Sequence, residues 1–441
     1  MRGHLSNAAY GVIDYAAYPV GMLLAAPALL KHLGVAQYGV WVVATAMVSI
    51  GGIVASGFGD ANIQYVSSAR SHGDRAALLD AVRSMMGINL VLGGALALLS
   101  WMLVPLVCRH VVPSDTSLRL ASLGSLRIAS LLMPVRAVES VCISTQRAFE
   151  RYGAAVRISI AARLLALAAA VPLTCLGFGV TSIMAATAAL MLLGMAAQLV
   201  RLKQHLGAAS LSPRFDRRAT SALWSFGAFS WMQAVSGVVF SQADRLILGI
   251  SLGATAVTAY ALCVQMAQPI YGVAASALHF LFPYLSGRHA FAPPAALRKT
   301  ILIAFSVNLA LVSTGTAAVL LFGRPLLHAW VGKAVAQSAG AVLTPIVWSF
   351  ALLGINVTAY YALLAFGRVR AVTWLNLAGG AAMLLMMARL LPRTGIEGVA
   401  IARICYGLVT LMMYIPLLRP LHRTGKSSLP LSGIDPVCEE A

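Results

Sequence analysis

Charge is scarce in this chain. Only 10% of its 441 residues are Asp, Glu, Lys or Arg, where a soluble domain carries about 25%. Acid is scarcer still, with 13 Asp and Glu against 32 Lys and Arg, a formal net charge of +19. No polar stretch is long enough to form a separate soluble domain around the 60% of hydrophobic residues. Cysteines are few and scattered: Cys108, Cys142, Cys175, Cys263, Cys405 and Cys438 fall mostly within or beside apolar runs, with no CxxC pair. That spacing excludes a disulfide framework and reads as small core residues. Catalytic signatures are missing too, with no HExxH, GxSxG, P-loop or Gly-rich dinucleotide turn. An enzyme is not expected, nor a cofactor, nor a metal site. What these absences leave is an all-α polytopic membrane protein.

The chain is organised around Leu33 to Arg70. A turn with Gly34, Gln37, Tyr38 and Gly39 leads into an apolar helix expected from about Val40 to Val66. Nothing ionisable interrupts it before Asp60, and its exit is marked by Arg70, His72, Asp74 and Arg75. About 20 apolar residues cross ~30 Å of hydrocarbon, so this is a membrane span with a cationic end. The motif returns some 219 residues later, in Leu252–Arg288. Leu33-Gly34 is echoed by Leu252-Gly253, Tyr38 by Tyr260, and Tyr65-Val66-Ser67 by Tyr284-Leu285-Ser286. One unit is used twice.

Twelve spans can be drawn, roughly 11–30, 38–66, 86–108, 118–143, 158–176, 180–200, 222–250, 256–285, 300–322, 341–366, 371–391 and 397–418. With the N-terminus inside, the interior segments collect most of the cations. These include Arg70, Arg75 and Arg83; Arg147, Arg151, Arg157 and Arg163; Arg201, Lys203, Arg214, Arg217 and Arg218; and Arg288, Arg298 and Lys299. The exterior holds only Lys31, Arg109, Arg119, Arg324, Lys333 and Arg393. Positive loops face the cytoplasm, so both termini are expected there. This alternation, and not a nucleic-acid surface, accounts for the net charge. The longest exterior loop is expected at about Phe322 to Gly340.

The interior loop from about Arg201 to Thr220 divides two sets of six spans. Residues 1–205 form a first six-helix bundle, 206–221 a cytoplasmic linker, 222–420 a second bundle and 421–441 a disordered cytoplasmic tail. An even number of spans gives both halves one orientation, related by an axis along the membrane normal. Gly177 and Gly179 open span six, as Gly395, Gly398 and Ala400 open span twelve.

The Leu-Gly-x-x-x-Tyr-Gly-x-Trp turn at 33–41 resembles the first hairpin of Wzx-type polysaccharide and O-antigen flippases. These belong to the multidrug/oligosaccharidyl-lipid/polysaccharide exporter superfamily. Gly57-x-Gly59 with Ala61, Asp244-x-x-Ile247-Leu248-Gly249 followed by Leu252-Gly253 and Tyr260, and Gly395-Ile396-x-Gly398-x-Ala400 extend the resemblance over nearly the whole chain. It implies two six-helix bundles around a central cavity and export of undecaprenyl-diphosphate-linked oligosaccharide across a bacterial inner membrane. Membrane lipid and polysaccharide polymerase machinery are its implied partners.

Ionisable residues inside spans are costly, about 2.5–3.5 kcal/mol each on insertion scales, and so are candidates for function. Arg127, Arg136, Arg245 and Arg403 are the candidate substrate-binding residues, since guanidinium holds an oxyanion with two hydrogen bonds. Against this, Arg136 and Glu139 sit on one helix face three residues apart and can simply pair. Arg127, nine residues from Arg136, turns to the opposite side of an ideal helix. Asp244, at the acidic position that recurs in the resembled family, and Asp60 are the candidates for ion coupling. Their plain alternatives are an ion pair with Arg245 or a neighbour, and a helix-contact hydrogen bond. Arg389 is expected to snorkel. Trp41, Trp101, Trp224, Trp330 and Trp348, near predicted span ends, are expected to anchor the interface.

Two rivals stand beside the flippase. A cation-coupled multidrug antiporter of the related branch needs acidic groups to dominate its cavity, and here arginines in spans outnumber acids. A membrane polymerase or ligase needs a large polar exterior loop, which the chain lacks.

Overall fold

A computed structural model describes residues 2–56, 58–112, 116–149, 152–207, 210–215, 231–232, 237, 242–286, 288 and 293–422. Hydrocarbon offers no hydrogen bonds, so an apolar run must satisfy its own backbone, and a helix does this within one segment. The described residues contain no strand. Their helices are α1 (Arg2–Ser56), α2 (Gly59–Ser71), α3 (Arg75–Val111), α4 (Thr116–Ala148), α5 (Tyr152–Cys175) and α6 (Val180–Leu206) in the first half. The second half has α7 (242–252), then α8 (Ala254–Leu278), α9 (Leu281–Ser286), α10 (Pro294–Val331), α11 (Lys333–Ala365), α12 (Val369–Thr394), α13 (Ile396–Leu411) and α14 (Tyr414–His422). Nine helical segments among the described residues are long and apolar enough to cross a membrane. The chain is a multi-pass membrane protein.

The repeated unit reappears as geometry. Helix α1 is two arms joined at Gly34 (φ 77°, ψ 167°), and α7 joins α8 at Gly253 (φ 82°, ψ 176°). Only glycine adopts such angles freely, so one residue folds the chain between two helices at equivalent places. In both units the next helix also breaks near its far end, between Ser56 and Gly59 and between Leu278 and Leu281. The expected uninterrupted helix from Val40 to Val66 is therefore wrong. Phe58 leaves helical geometry (φ −89°, ψ 2°) and buries its ring completely, and the flanking Gly57 and Gly59 contribute weak helix propensity.

Two further expectations need correction. The exterior loop at Phe322–Gly340 is instead the junction of α10 and α11, with only Gly332 (φ 84°, ψ 161°) between them. At 1.5 Å per residue α10 is about 57 Å long, well beyond ~30 Å of hydrocarbon. Apolarity marks only its middle, so Arg324, His328 and Lys333 belong to helix ends. The last span, expected continuous over 397–418, divides into α13 and α14, and Pro416 falls in the first turn of α14, where proline is tolerated. The stretch 423–441, which holds most of the expected tail, lies outside the described residues.

In the first half α4 packs against α1, α3 and α6; in the second α11 takes the same place against α8, α10 and α13. The main core runs across both halves, with Leu29, Tyr38, Val40 and Ala44 of α1 meeting Val257, Tyr260 and Leu262 of α8. A separate cluster, including Phe58, Val82, Met85, Val141 and Leu202, fills the basic end of the first half. Large apolar side chains such as Leu24, Leu321 and Leu385 cover the outside, as a lipid-facing surface requires. The linker lies on α3: Arg83 donates to the Ser210 carbonyl (3.0 Å), and the Arg214 N–H donates to the Arg83 carbonyl (3.2 Å).

Contact between the halves is tight at the Gly34 and Gly253 end. A Cβ on Gly39 would collide with the Ala254 carbonyl. The Thr258 hydroxyl donates to the Val35 carbonyl (2.7 Å), the Gln265 amide to the Tyr38 hydroxyl (3.1 Å), and the Trp330 indole to the Leu23 carbonyl (2.9 Å). Trp330 is thus a tie between the halves, and Trp41 is buried against Tyr38. Neither is the interface anchor that its position suggested. Trp348 is half exposed, and Trp224 lies outside the described residues. Cys108, Cys142 and Cys263 are buried, while Cys175 is exposed.

Candidate functional site

Each half encloses a cavity. The larger, of about 420 Å³, lies in the second half. Helix α11 lines it with Phe350, Leu353, Asn356, Val357, Tyr360 and Tyr361, linked by the three- and four-residue spacing of one helix face. Arg245 from α7, Gln268 and Tyr271 from α8, Asn376 from α12, and Arg403 and Tyr406 from α13 complete the wall. The smaller cavity, of about 150 Å³, is lined by Tyr18, Trp41, Thr45, Ser49, Arg136 and Arg163 among others.

Two charged candidates, Arg245 and Arg403, line the larger cavity, and a third, Asp244, is buried against Arg403. Arg403 forms an ion pair with Asp244, and the Tyr260 hydroxyl donates to the same carboxylate oxygen. The other carboxylate oxygen accepts the Arg245 backbone N–H at 2.8 Å. Both oxygens of Asp244 are engaged and the residue is fully buried. The Arg403 guanidinium also lies 4.9 Å above the Phe350 ring. Helix geometry explains the meeting. Asp244 lies eight residues from the Gly253 end of α7, Tyr260 six residues into α8, and Arg403 seven residues into α13. At 1.5 Å per residue, all three stand about 9–12 Å from that end.

Arg245 behaves differently from its neighbour. Its guanidinium turns away from Asp244 into the cavity wall, reaches Gln242 at 3.4 Å, and leaves Nε without a hydrogen-bond partner among the described residues. It also lies near enough to Tyr18 and Tyr38 of the first half to act on them electrostatically. Tyr18 lines the smaller cavity.

Arg136 pairs with Glu139, as their spacing suggested, and lines the smaller cavity beside Arg163. Arg163, counted from sequence among the interior cations and within the fifth span, is on α5 and bonds back to the Ser159 hydroxyl (3.1 Å). Arg127 is on the other side of α4, 5.0 Å above the Trp101 ring, and lines neither of these cavities. The backbone of Asp60 belongs to α2, but its side chain lies outside what is described. Arg389 is exposed. Among the described residues no cluster of three His, Cys, Asp or Glu side chains is placed to hold a metal ion.

Sequence reasoning found the charges and the Arg136–Glu139 pair but did not name the partners of Asp244. Nothing marked Tyr260 as a ligand of Asp244, or Asn356 and Asn376 as wall residues. The helical spacing of Phe350, Leu353, Asn356 and Tyr360 was the available signal.

The helix order, the doubled unit and the cavities define a transporter fold. The chain resembles an inward-facing multidrug transporter of the MATE family and MOP superfamily (TM-score 0.69, 14% identity, 93% of this chain and 98% of that one). It equally resembles the lipid II flippase MurJ in an inward closed conformation (TM-score 0.74, 12% identity, 92% and 87%). A third likeness is to the MATE multidrug transporter DinF-BH (TM-score 0.63, 16% identity, 94% and 93%). No curated protein sequence matches the chain. Residues 29–290 match the model of a family described as polysaccharide biosynthesis proteins, and the chain belongs to that family.

Proposed function

We propose that the chain is a lipid-linked oligosaccharide flippase. It moves undecaprenyl-diphosphate-linked repeat units across a bacterial inner membrane, for synthesis of O-antigen, capsule or exopolysaccharide. The observation that carries this reading is the wall of the larger cavity, which among the described residues presents Arg245 and Arg403 and no carboxylate. Asp244 pairs with Arg403, while the Arg245 guanidinium bonds to the neutral Gln242 amide and to no carboxylate among the described residues. Such a surface favours an anion over the cation that a multidrug antiporter extrudes, and membership of a polysaccharide biosynthesis family agrees.

The headgroup enters the space between the halves and the polyprenyl tail stays in lipid. Arg245 takes the diphosphate, and Arg403 joins it when Asp244 is released. Arg136 serves the same anion from the smaller cavity, and Arg127 attracts the headgroup from outside it. Asp244 and Asp60 are the places for ion coupling. Rocking of the two halves, with boundaries near 205 and 222, exposes the cavity to each side in turn. Both termini and the basic helix ends face the cytoplasm, and polymerase machinery on the far side receives the product.

The test is a strain lacking the protein. Lipid-linked repeat units should accumulate facing the cytoplasm, and the wild-type gene should clear them. Arg245→Ala should fail to do so, because a hydrogen bond to a charged group contributes about 1.5–3 kcal/mol, a ten- to hundredfold loss in rate. Normal distribution of these lipids, with altered sensitivity to cationic drugs, would instead establish the antiporter.

A further inference from the structure

Beyond the two arginines, the larger cavity is furnished with amides and tyrosines that a diphosphate does not need. Asn356, Asn376, Gln268, Tyr271, Tyr360 and Tyr406 all line it. Asn356 is the most telling of them, since only 6% of it is exposed. Its Nδ2 reaches no better partner than the Met413 sulfur at 3.4 Å. Its Oδ1 accepts no hydrogen bond among the described residues. A buried acceptor left without a donor is costly, and the cavity is the direction from which a donor can come. The Tyr406 hydroxyl donates to the side-chain Oδ1 of Asn376 at 3.2 Å, which leaves the Asn376 side-chain amide hydrogens to donate elsewhere. The Tyr360 and Tyr361 rings meet at 66° with centroids 5.5 Å apart, forming an apolar corner on the same wall.

From this arrangement we infer that the second-half cavity is a subsite for a sugar ring of the headgroup, with Asn356 accepting from a ring hydroxyl. The inference rests on the flippase reading and deepens it. Sugars present hydroxyls that both donate and accept, together with a C–H face that packs on an aromatic ring, and this wall offers partners for each. An acyl or prenyl chain would leave Asn356 unpaired, and a cationic aromatic drug would face two guanidinium groups. A volume of about 420 Å³ lies in the range of small-molecule sites, roughly 300–1,000 Å³. A diphosphate linked to that sugar falls to Arg245 on the same wall. Sites built around a substrate hydroxyl reject analogues that lack it far more strongly than apolar pockets reject a missing methylene. This subsite therefore selects which repeat unit is carried.

The probe is the glycan released by mild acid from the lipid-linked fraction of cells lacking the protein. Its saturation-transfer NMR signal is measured on the purified full chain in nanodiscs, with undecaprenyl diphosphate binding measured in parallel. Wild type should bind both. Asn356→Leu should weaken the glycan at least tenfold and leave undecaprenyl diphosphate unchanged, and Tyr360→Leu should weaken the glycan alike. The thermal midpoint of Asn356→Leu should hold or rise, because an unpaired buried acceptor has been removed; a merely structural Asn356 would lose stability along with binding. Undecaprenyl diphosphate binding without any glycan signal, or a glycan signal that survives both substitutions, overturns the subsite and leaves the flippase reading standing. If wild type binds neither probe, both readings fall together.

Discussion

Asp244 and Arg403 stand 159 residues apart and share one hydrogen-bonded ion pair within the apolar interior. Removing one member of a buried pair leaves an uncompensated charge, which costs about 3–5 kcal/mol, whereas replacing both members with apolar groups is often nearly neutral. Asp244→Leu and Arg403→Met should therefore each lower the thermal midpoint sharply, and the double variant should recover most of the loss. A double-mutant cycle in detergent measures this directly; additive losses would refute the pairing. At this scale the sequence was only half legible. Charges inside apolar runs announce themselves, and the Arg136–Glu139 pair follows from helix periodicity alone. The Asp244–Tyr260–Arg403 cluster joins three helices, and one-dimensional spacing carries no signal for a contact of that kind. Their similar depth below glycine turns could have been counted, but depth does not say which faces meet.

At the scale of elements, glycine does the folding. Gly34 and Gly253 were legible because two Leu-Gly steps recur in register, and the structure gives them nearly the same dihedral angles. Helix ends were less legible, since hydropathy marks where lipid is and not where hydrogen bonding stops; hence the missed continuity up to Gly332. The break at Phe58 was hidden because an aromatic inside an apolar run looks like more of the same. Gly39 offers a direct test of element packing. In a cysteine-free background, Val35→Cys and Thr258→Cys should be joined by a short bifunctional thiol cross-linker, since the Thr258 hydroxyl lies 2.7 Å from the Val35 backbone carbonyl. Adding Gly39→Val should reduce that cross-linking several-fold, because its side chain would occupy the place of the Ala254 carbonyl. Undiminished cross-linking would show that the halves do not depend on this approach.

For the whole molecule, the alternating distribution of Lys and Arg predicts which end faces which compartment. Lys333→Cys, at the Gly332 turn, should react with a membrane-impermeant maleimide in intact spheroplasts. Arg298→Cys, exposed at the opposite end of α10, should react only after permeabilisation. The reverse pattern would invert the assigned orientation. The three hydrogen bonds that tie the halves, from Thr258, Gln265 and Trp330, also set an energetic scale for turning the molecule over. At about 0.5–1.5 kcal/mol each, they favour the present arrangement by about 1.5–4.5 kcal/mol. On the alternating-access reading proposed above, a form that lacks these three bonds and differs in nothing else is present at roughly one part in ten to one part in a thousand before anything binds. A cargo need prefer that rare form by only this modest margin to bring the two populations level. Weakening the tie should accordingly shift the resting balance and let the empty protein cycle futilely, so the strength of this latch sets how closely turnover is coupled to cargo.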